Sequence, residues 1–564
     1  MTALTPGVAT PMSRAATSAS AGVRGGLARR VLVTPAALWG VGLVAQLVAL
    51  ALVTRPLTEG SSYYVAVARN LVTGRGLLID AIWSYATPPL SLPRPAFELW
   101  QPMASLVGAL PMAALGPSFG AMQLGFALLG ALLAPLAWLL ARDAARGLAL
   151  PDRRAQAVSV GAGVLTALSA PLLLAGATPD STLPFAIAGL VACLLMPRAI
   201  GGDRRALIGV GVALGLAYLT RMEAVWFGLA FVIAALDAGN SIRRTSLQGA
   251  GVAAVAALVA TPWWLRNLAV FGTPLPGQLA DNMFLARNEQ IFGYLDRPTL
   301  AGFLAQGAPM LLANIANALW HDLVNVLIVP AGPLAAIGLL TLAVGLRRRG
   351  TGRAGLPPGA ALAILLTAGA LSYVATSVLF PVATLWGTFE HAAGPLHVGL
   401  IVAGLIGADA FVARVREWRG WPRSNAWLSP AALALIGLPL ALVALTGAGA
   451  SATVDAQRID QLARTVPAML GRAGIDGHAT LISDRPIWLS DALGRPVIAL
   501  PDEPPVALAR LAADFDAAAI ILTEPRGDLP AALRTSAAGA CFTEQDPAGL
   551  PSTSAVFIVS EACR

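Results

Sequence analysis

The chain has 564 residues, of which 56% are hydrophobic and only 12% charged, about half the charged share of a soluble globular domain, so lipid must solvate most of it. The formal charge of +8 rests entirely on arginine, since the sequence contains no lysine, and this excludes a lysine nucleophile or Schiff base. In so apolar a chain a basic excess fits the positive-inside rule and anionic headgroups, and nucleic acid is not an expected partner.

Residues 1–30 are rich in Ala, Ser, Thr and Gly and carry Arg14, Arg24, Arg29 and Arg30 without an acid, which reads as a disordered cytoplasmic leader. The first apolar run, about 35–53, shows no secretory cleavage pattern and is expected to remain as an anchor. Further runs follow at about 119–141, 157–176, 182–197, 206–220, 223–237, 248–264, 324–346, 358–380, 394–413 and 427–447, giving about eleven spans at roughly 20 residues per crossing. Arginine-bearing stretches at 142–154, 198–205, 243–244, 347–353 and 414–423 mark the cytoplasmic side. An odd number of spans then sends the C-terminus out, and 54–118 and 265–323 become long outer loops. Their mixture of aromatic, Pro, charged and apolar residues predicts helices lying on the membrane surface over a cavity.

Beyond about 450 the character changes, from a net charge of +13 over 1–450 to −5 over 451–564. A helix is expected over Asp455 to Arg472, strands near Ala479 to Ser483, Pro496 to Leu500 and Ala518 to Thr523, and a helix at Pro505 to Phe515. That alternation predicts a small α/β domain with a partly parallel sheet. The expected fold class is therefore an all-α polytopic membrane bundle over 31–450 with a C-terminal α/β extracytoplasmic domain at 451–564. No G-x-G-x-x-G follows a strand, so nucleotide binding has no support. Cys193 lies in an apolar run, while Cys541 and Cys563 both fall in the tail, where an extracytoplasmic location permits a disulfide. No Cys/His cluster suggests a metal site.

The segment after the first span is the most specific: Leu57-Thr-Glu-Gly-Ser-Ser-Tyr-Tyr64, Ala68-Arg-Asn-Leu-Val-Thr-Gly-Arg-Gly76, Trp83, Pro88-Pro89 and Trp100-Gln-Pro102. Later come Thr178-Pro-Asp-Ser-Thr-Leu-Pro-Phe185, Gly215-Leu-Ala-Tyr-Leu-Thr-Arg-Met-Glu-Ala224, Pro262-Trp-Trp-Leu-Arg-Asn-Leu-Ala-Val-Phe-Gly272, Pro274-Leu-Pro276 and Gly387-Thr-Phe-Glu-His391. Together, across residues 35–395, these resemble the multispanning glycosyltransferases of the GT-C superfamily, of the mannosyltransferase and aminoarabinose-transferase kind. The resemblance implies an inverting transfer from a polyprenyl-phosphate sugar to an outside acceptor, be it glycan, lipid or protein, with the first-loop acid near the acceptor hydroxyl.

The acidic pair common in that motif stands here as Glu59-Gly60. One carboxylate suffices for a general base, because a lipid phosphate leaves without much acid assistance, whereas expelling an alkoxide typically takes two carboxylates. Gly60 weakens the case for a divalent cation, which two adjacent acids would hold more easily, and no other cofactor is implied. Glu59 is the candidate base, or else a solvated acid just past a span. Asp180 either orients base and acceptor or caps the next helix.

Arginine suits a phosphate, its planar fork holding two oxygens at once. Arg221 fits best, since charge at a membrane edge is costly unless functional or paired; its alternative is an internal pair with Glu223. Arg266 is either a phosphate ligand or a headgroup-snorkelling residue after two tryptophans. Arg69 binds phosphate or braces the helix of Tyr63 and Tyr64. Tyr63, Tyr64, Glu223, His391 and Trp100 are candidates for sugar or acceptor contact, with interfacial aromatic belts and a satisfied structural histidine as the competing explanations. Two other functions stay open: a transporter or flippase of lipid-linked sugars, disfavoured because the acids cluster at span ends rather than mid-membrane, and a catalytically silent membrane scaffold.

Overall fold

A computed structural model describes residues 15–275, 278–347, 356, 359–421, 425–524, 527–535 and 537–564. Residues 1–14 of the expected leader, and 348–353 and 422–423 of two arginine-rich stretches, lie outside the described residues. One helix runs from Ala15 to Leu52.

Eight helices are long and apolar enough to cross a membrane, and a ninth crossing arises if Asp152–Ala167 and Ala170–Ala177, bent by 45° to each other, count as one. The bend falls where Pro171, lacking an N–H, enters the first turn of the second helix. Length and composition among the described residues do not reach the expected eleven. Arg204–Tyr218 and Ala224–Asp237 have 15 and 14 residues, about 22 Å of helix against a hydrocarbon core of about 30 Å. The run expected at 324–346 is divided. Ala308–Ala331 is a candidate crossing in its own right, and Pro333–Arg347 follows after Gly332. Asn314, Asn317, His321 and Asp322 disguised the first of these in the sequence. Asp322 opens a π-helical turn, Asp322–Ile328, and is fully buried, accepting hydrogen bonds from Ser377 at 2.9 Å and Thr384 at 2.8 Å.

The segment 54–118 carries two helices, Glu59–Val72 and Met103–Leu115. The segment 265–323 adds Gln278–Met283 and Leu300–Ala305 before the Ala308 helix. The helix of the last expected span does not end near 450. Leu428–Arg472 is one helix of 45 residues, about 68 Å long, so the change in charge falls within a continuous helix. Its Gly449 sits so close to the first helix that a Cβ there would lie 2.0 Å from the Leu52 carbonyl oxygen.

Beyond it stands a six-stranded sheet in the order Ala81–Ile82, Val497–Ala499, Thr480–Ser483, Ala517–Leu522, Ala555–Val559, Phe542–Glu544. The first four strands are parallel and the last two antiparallel to their neighbours. One strand thus comes from the segment after the first span, an exchange that two residues of sequence do not announce. Side chains alternate across the sheet. Ile482, Ile498 and Ile520 pack with Leu508 and Leu511 of the Pro505–Phe515 helix on one face. Leu481, Val497 and Ile521 pack with Leu462, Val466 and Met469 of the long helix on the other. A disulfide joins Cys541 to Cys563, beside the antiparallel edge.

Candidate active site

Thr58 is extended and its side chain accepts the Ser61 N–H, starting the helix at Glu59. Glu59 points at a second helix start: its Oε1 accepts the backbone N–H groups of Ile487 at 2.9 Å and Trp488 at 3.3 Å, in the first turn of Pro486–Leu493. The Trp488 indole N–H donates to Ser62 at 2.7 Å, one turn beyond Glu59. Asp484 and Arg485 precede that helix directly after the Thr480–Ser483 strand, and Glu524 lies just past the neighbouring Ala517–Leu522 strand. Arg485 donates to Glu524 at 3.2 Å and lies over the Trp488 ring at 5.2 Å. Glu524 also accepts from Arg458 at 2.8 Å.

Opposite, Arg221 occupies the turn between Arg204–Tyr218 and Ala224–Asp237. It donates to Glu223 at 2.6 Å, to Ser181 Oγ at 3.1 Å and to the Thr388 carbonyl at 2.9 Å, while its buried Nε has no partner among the described residues. Arg221 is thus paired with Glu223 and also lines the cavity between the two sides. Asp180 likewise does two things. Its Oδ1 accepts the Thr182 N–H at 2.7 Å where the Thr182–Ile200 helix begins, and its Oδ2 lies 2.9 Å from His391 Nδ1. His391 reaches this position because Gly387, at φ 98°, turns the chain into Thr388–Ala392, a backbone conformation natural to glycine.

Glu59, Tyr64, Trp100, Arg221, Glu223 and His391 line one cavity of about 820 Å³. Its polar wall also includes Glu98, Glu390, Asp484, Arg485 and Glu524, and its apolar wall includes Met222, Val225, Trp226, Leu379 and Phe380. Aromatic rings step along it, Trp100 to Trp83 at 5.0 Å, Trp83 to Phe292 at 4.8 Å and Phe292 to Trp386 at 5.5 Å. Sequence reasoning missed Glu98, Asp484, Arg485 and Glu524. For the last three there was a signal: they follow the carboxyl ends of adjacent parallel strands, where open α/β sheets place ligands.

Four predicted residues stand off the cavity lining. Asp180 lies behind His391. Tyr63 is buried, donating to Glu98 at 3.2 Å and accepting the Phe97 N–H at 2.6 Å. Arg69 pairs with Asp491 of the Pro486–Leu493 helix, linking the two helices. Arg266 lies over Trp263 at 4.8 Å and Phe271 at 5.0 Å and donates to Asn267 at 3.1 Å. Among the described residues no group of three His, Cys, Asp or Glu side chains is placed to hold a metal ion.

The electrostatics follow from this packing. Burial raises the Glu59 carboxyl to about 7, with Arg485 and the Trp488 and Ile487 N–H groups opposing the rise and Asp484 adding slightly to it. Glu59 keeps some exposed surface, but that surface faces the cavity, so protein still replaces much of its water. For His391 burial favours the neutral ring, yet the Asp180 carboxylate outweighs it and the net shift is upward.

No family model and no curated sequence matches the chain. Among solved structures, ArnT from Cupriavidus metallidurans in the apo state superposes with a TM-score of 0.55 at 15% identity, over 95% of this chain and 99% of that one. The chain shares the fold of ArnT. ArnT bound to undecaprenyl phosphate gives a TM-score of 0.55 at 14% identity, over 94% of this chain and 98% of that one. The Archaeoglobus fulgidus oligosaccharyltransferase gives 0.49 at 14% identity, over 86% and 69%.

Proposed function

We propose that this protein is a membrane glycosyltransferase that moves a sugar from a polyprenyl-phosphate carrier to an acceptor on the extracytoplasmic side, with inversion at the sugar carbon. The observation that carries the reading is the convergence of Glu59 and Arg221, 162 positions apart in the chain, on one cavity with an apolar wall. An isoprenoid chain needs such a wall, and its phosphate needs a fixed cation that persists at any relevant pH. ArnT, whose fold this chain shares, binds undecaprenyl phosphate, which supports the carrier class.

In this reading the Arg221 guanidinium holds the donor phosphate and stabilises the charge it gains as the glycosidic bond breaks. Glu59 takes the acceptor hydroxyl proton as that oxygen attacks the sugar carbon from the opposite face, and the carrier phosphate departs with the bonding electrons. Asp180 orients His391 toward the sugar or phosphate, while Tyr64 and Trp100 offer ring faces to a pyranose.

The test uses full-length protein in liposomes with an undecaprenyl-phosphate sugar donor and acceptor from envelope extracts. Glu59→Gln is expected to lower transfer by about 100-fold or more while insertion and folding remain intact. Unchanged turnover in that variant contradicts the reading.

A further inference from the structure

Beyond the mechanism, the C-terminal sheet carries charges and backbone donors that converge on a carboxylate 428 positions earlier in the chain. Building on the assignment of Glu59 as base, we propose that Arg485 and the first turn of the Pro486–Leu493 helix are positioning residues for Glu59, so that the sheet is a working part of the catalytic centre and not an appended binding module.

Three observations carry this. The Ile487 and Trp488 N–H groups both donate to Glu59 Oε1, at the positive end of a helix. Among the described residues Oε2 accepts no hydrogen bond, which leaves that oxygen to take a proton from an acceptor. The geometry is held from several sides: Trp488 is bonded to Ser62, Arg69 to Asp491, and Ser490 Oγ to the Asp80 carbonyl at 2.9 Å, next to the Ala81–Ile82 strand that the sheet borrows. Arg485 is itself fixed, by Glu524 on one side and the Trp488 ring on the other. Its charge favours the ionised form of Glu59 without filling the cavity.

The other charges near Glu59 are accounted for. Asp484 opposes Arg485 but is engaged by the Thr523 N–H at 2.9 Å. Arg75 pairs with Asp80, Arg94 with Glu98, Arg55 with Asp460, and Arg458 with Asp455 and Glu524. The Met103–Leu115 helix packed against this region carries no charge. Across the cavity stand Arg221, Glu223, Glu390 and His391. Arg485 is therefore the cation whose removal most directly disfavours ionised Glu59.

A direct test reads the protonation of Glu59 without substrate. Full-length protein in detergent is treated across a pH series with a water-soluble carbodiimide and an amine, and labelling of the Glu59 peptide is quantified by mass spectrometry. The unmodified protein is expected to show a midpoint near pH 7. Arg485→Gln is expected to raise it by about one pH unit, Arg485→Lys to hold it within a few tenths, and Asp484→Asn to lower it. An Arg485→Gln midpoint that stays put or falls, or an Asp484→Asn midpoint that rises, overturns the inference. Loss of transfer in Glu59→Gln with unmoved midpoints removes this inference alone, whereas full transfer in Glu59→Gln removes the assignment beneath it.

Discussion

At the scale of single residues, the proposed chemistry turns on the Glu59 carboxylate and on two guanidinium groups of the cavity wall, Arg221 and Arg485. Glu59 lies near neutrality because burial outweighs Arg485 and two N–H donors, so a base with ordinary strength in water becomes stronger here. Activity that needs its ionised form should rise with pH through about 7 in kcat/KM and level off above it; a flat profile between pH 5 and 8 would speak against Glu59. The same shift has a stability consequence. A carboxyl with a folded value above its unfolded value favours the fold below about pH 4.5, and that contribution is lost as pH rises through about 7. Glu59→Gln is therefore expected to melt higher than the parent at pH 8 and alike at pH 4, as judged by thermal unfolding in detergent. Arg221→Ala should raise the donor KM by about tenfold or more with little effect on the acceptor KM, and equal donor constants would reassign the phosphate to Arg485.

At the scale of elements, what could be read from the chain depended on which force shaped each piece. The bilayer demands long apolar runs, so most crossings were visible, and Pro505–Phe515 and the tail strands showed through the alternation of helical and strand-like pieces. Packing inside the bundle obeys no such demand. Asp322 is tolerated in an apolar stretch because Ser377 and Thr384 satisfy it, and those hydroxyls are 55 and 62 positions away. Asp322→Ala should lower stability by about 2 kcal/mol, since it leaves the buried Thr384 hydroxyl without its acceptor, whereas Ser377 keeps the Tyr373 carbonyl; because Thr384 leads into the turn before His391, transfer should fall with it, and a variant with unaltered melting would show the cluster to be idle. The disulfide closing 22 positions between Cys541 and Cys563 should contribute about 3 kcal/mol, measurable as a lower unfolding midpoint in Cys541→Ser.

At the scale of the whole molecule, the decisive fact is that no contiguous stretch makes the site. Glu59, Arg221 and His391 could be picked out because their motifs carry chemistry in their side chains. The backbone partners of Glu59 could not, because N–H groups leave no signature, and Arg485 and Glu524, although they follow expected strand ends, are seen to meet only once the sheet sets those ends side by side. The orientation proposed for the whole predicts that a cysteine at Leu300 is labelled by an impermeant reagent added from outside and one at Arg416 is spared, with the reverse pattern inverting the topology. The central claim is met most directly by cryo-electron microscopy of the full chain with undecaprenyl phosphate. The account predicts phosphate density in the cavity, within hydrogen-bonding reach of Arg221 and facing Glu59, with the isoprenoid along Met222, Val225 and Phe380. Phosphate bound elsewhere, with this cavity empty at saturating lipid, would contradict it.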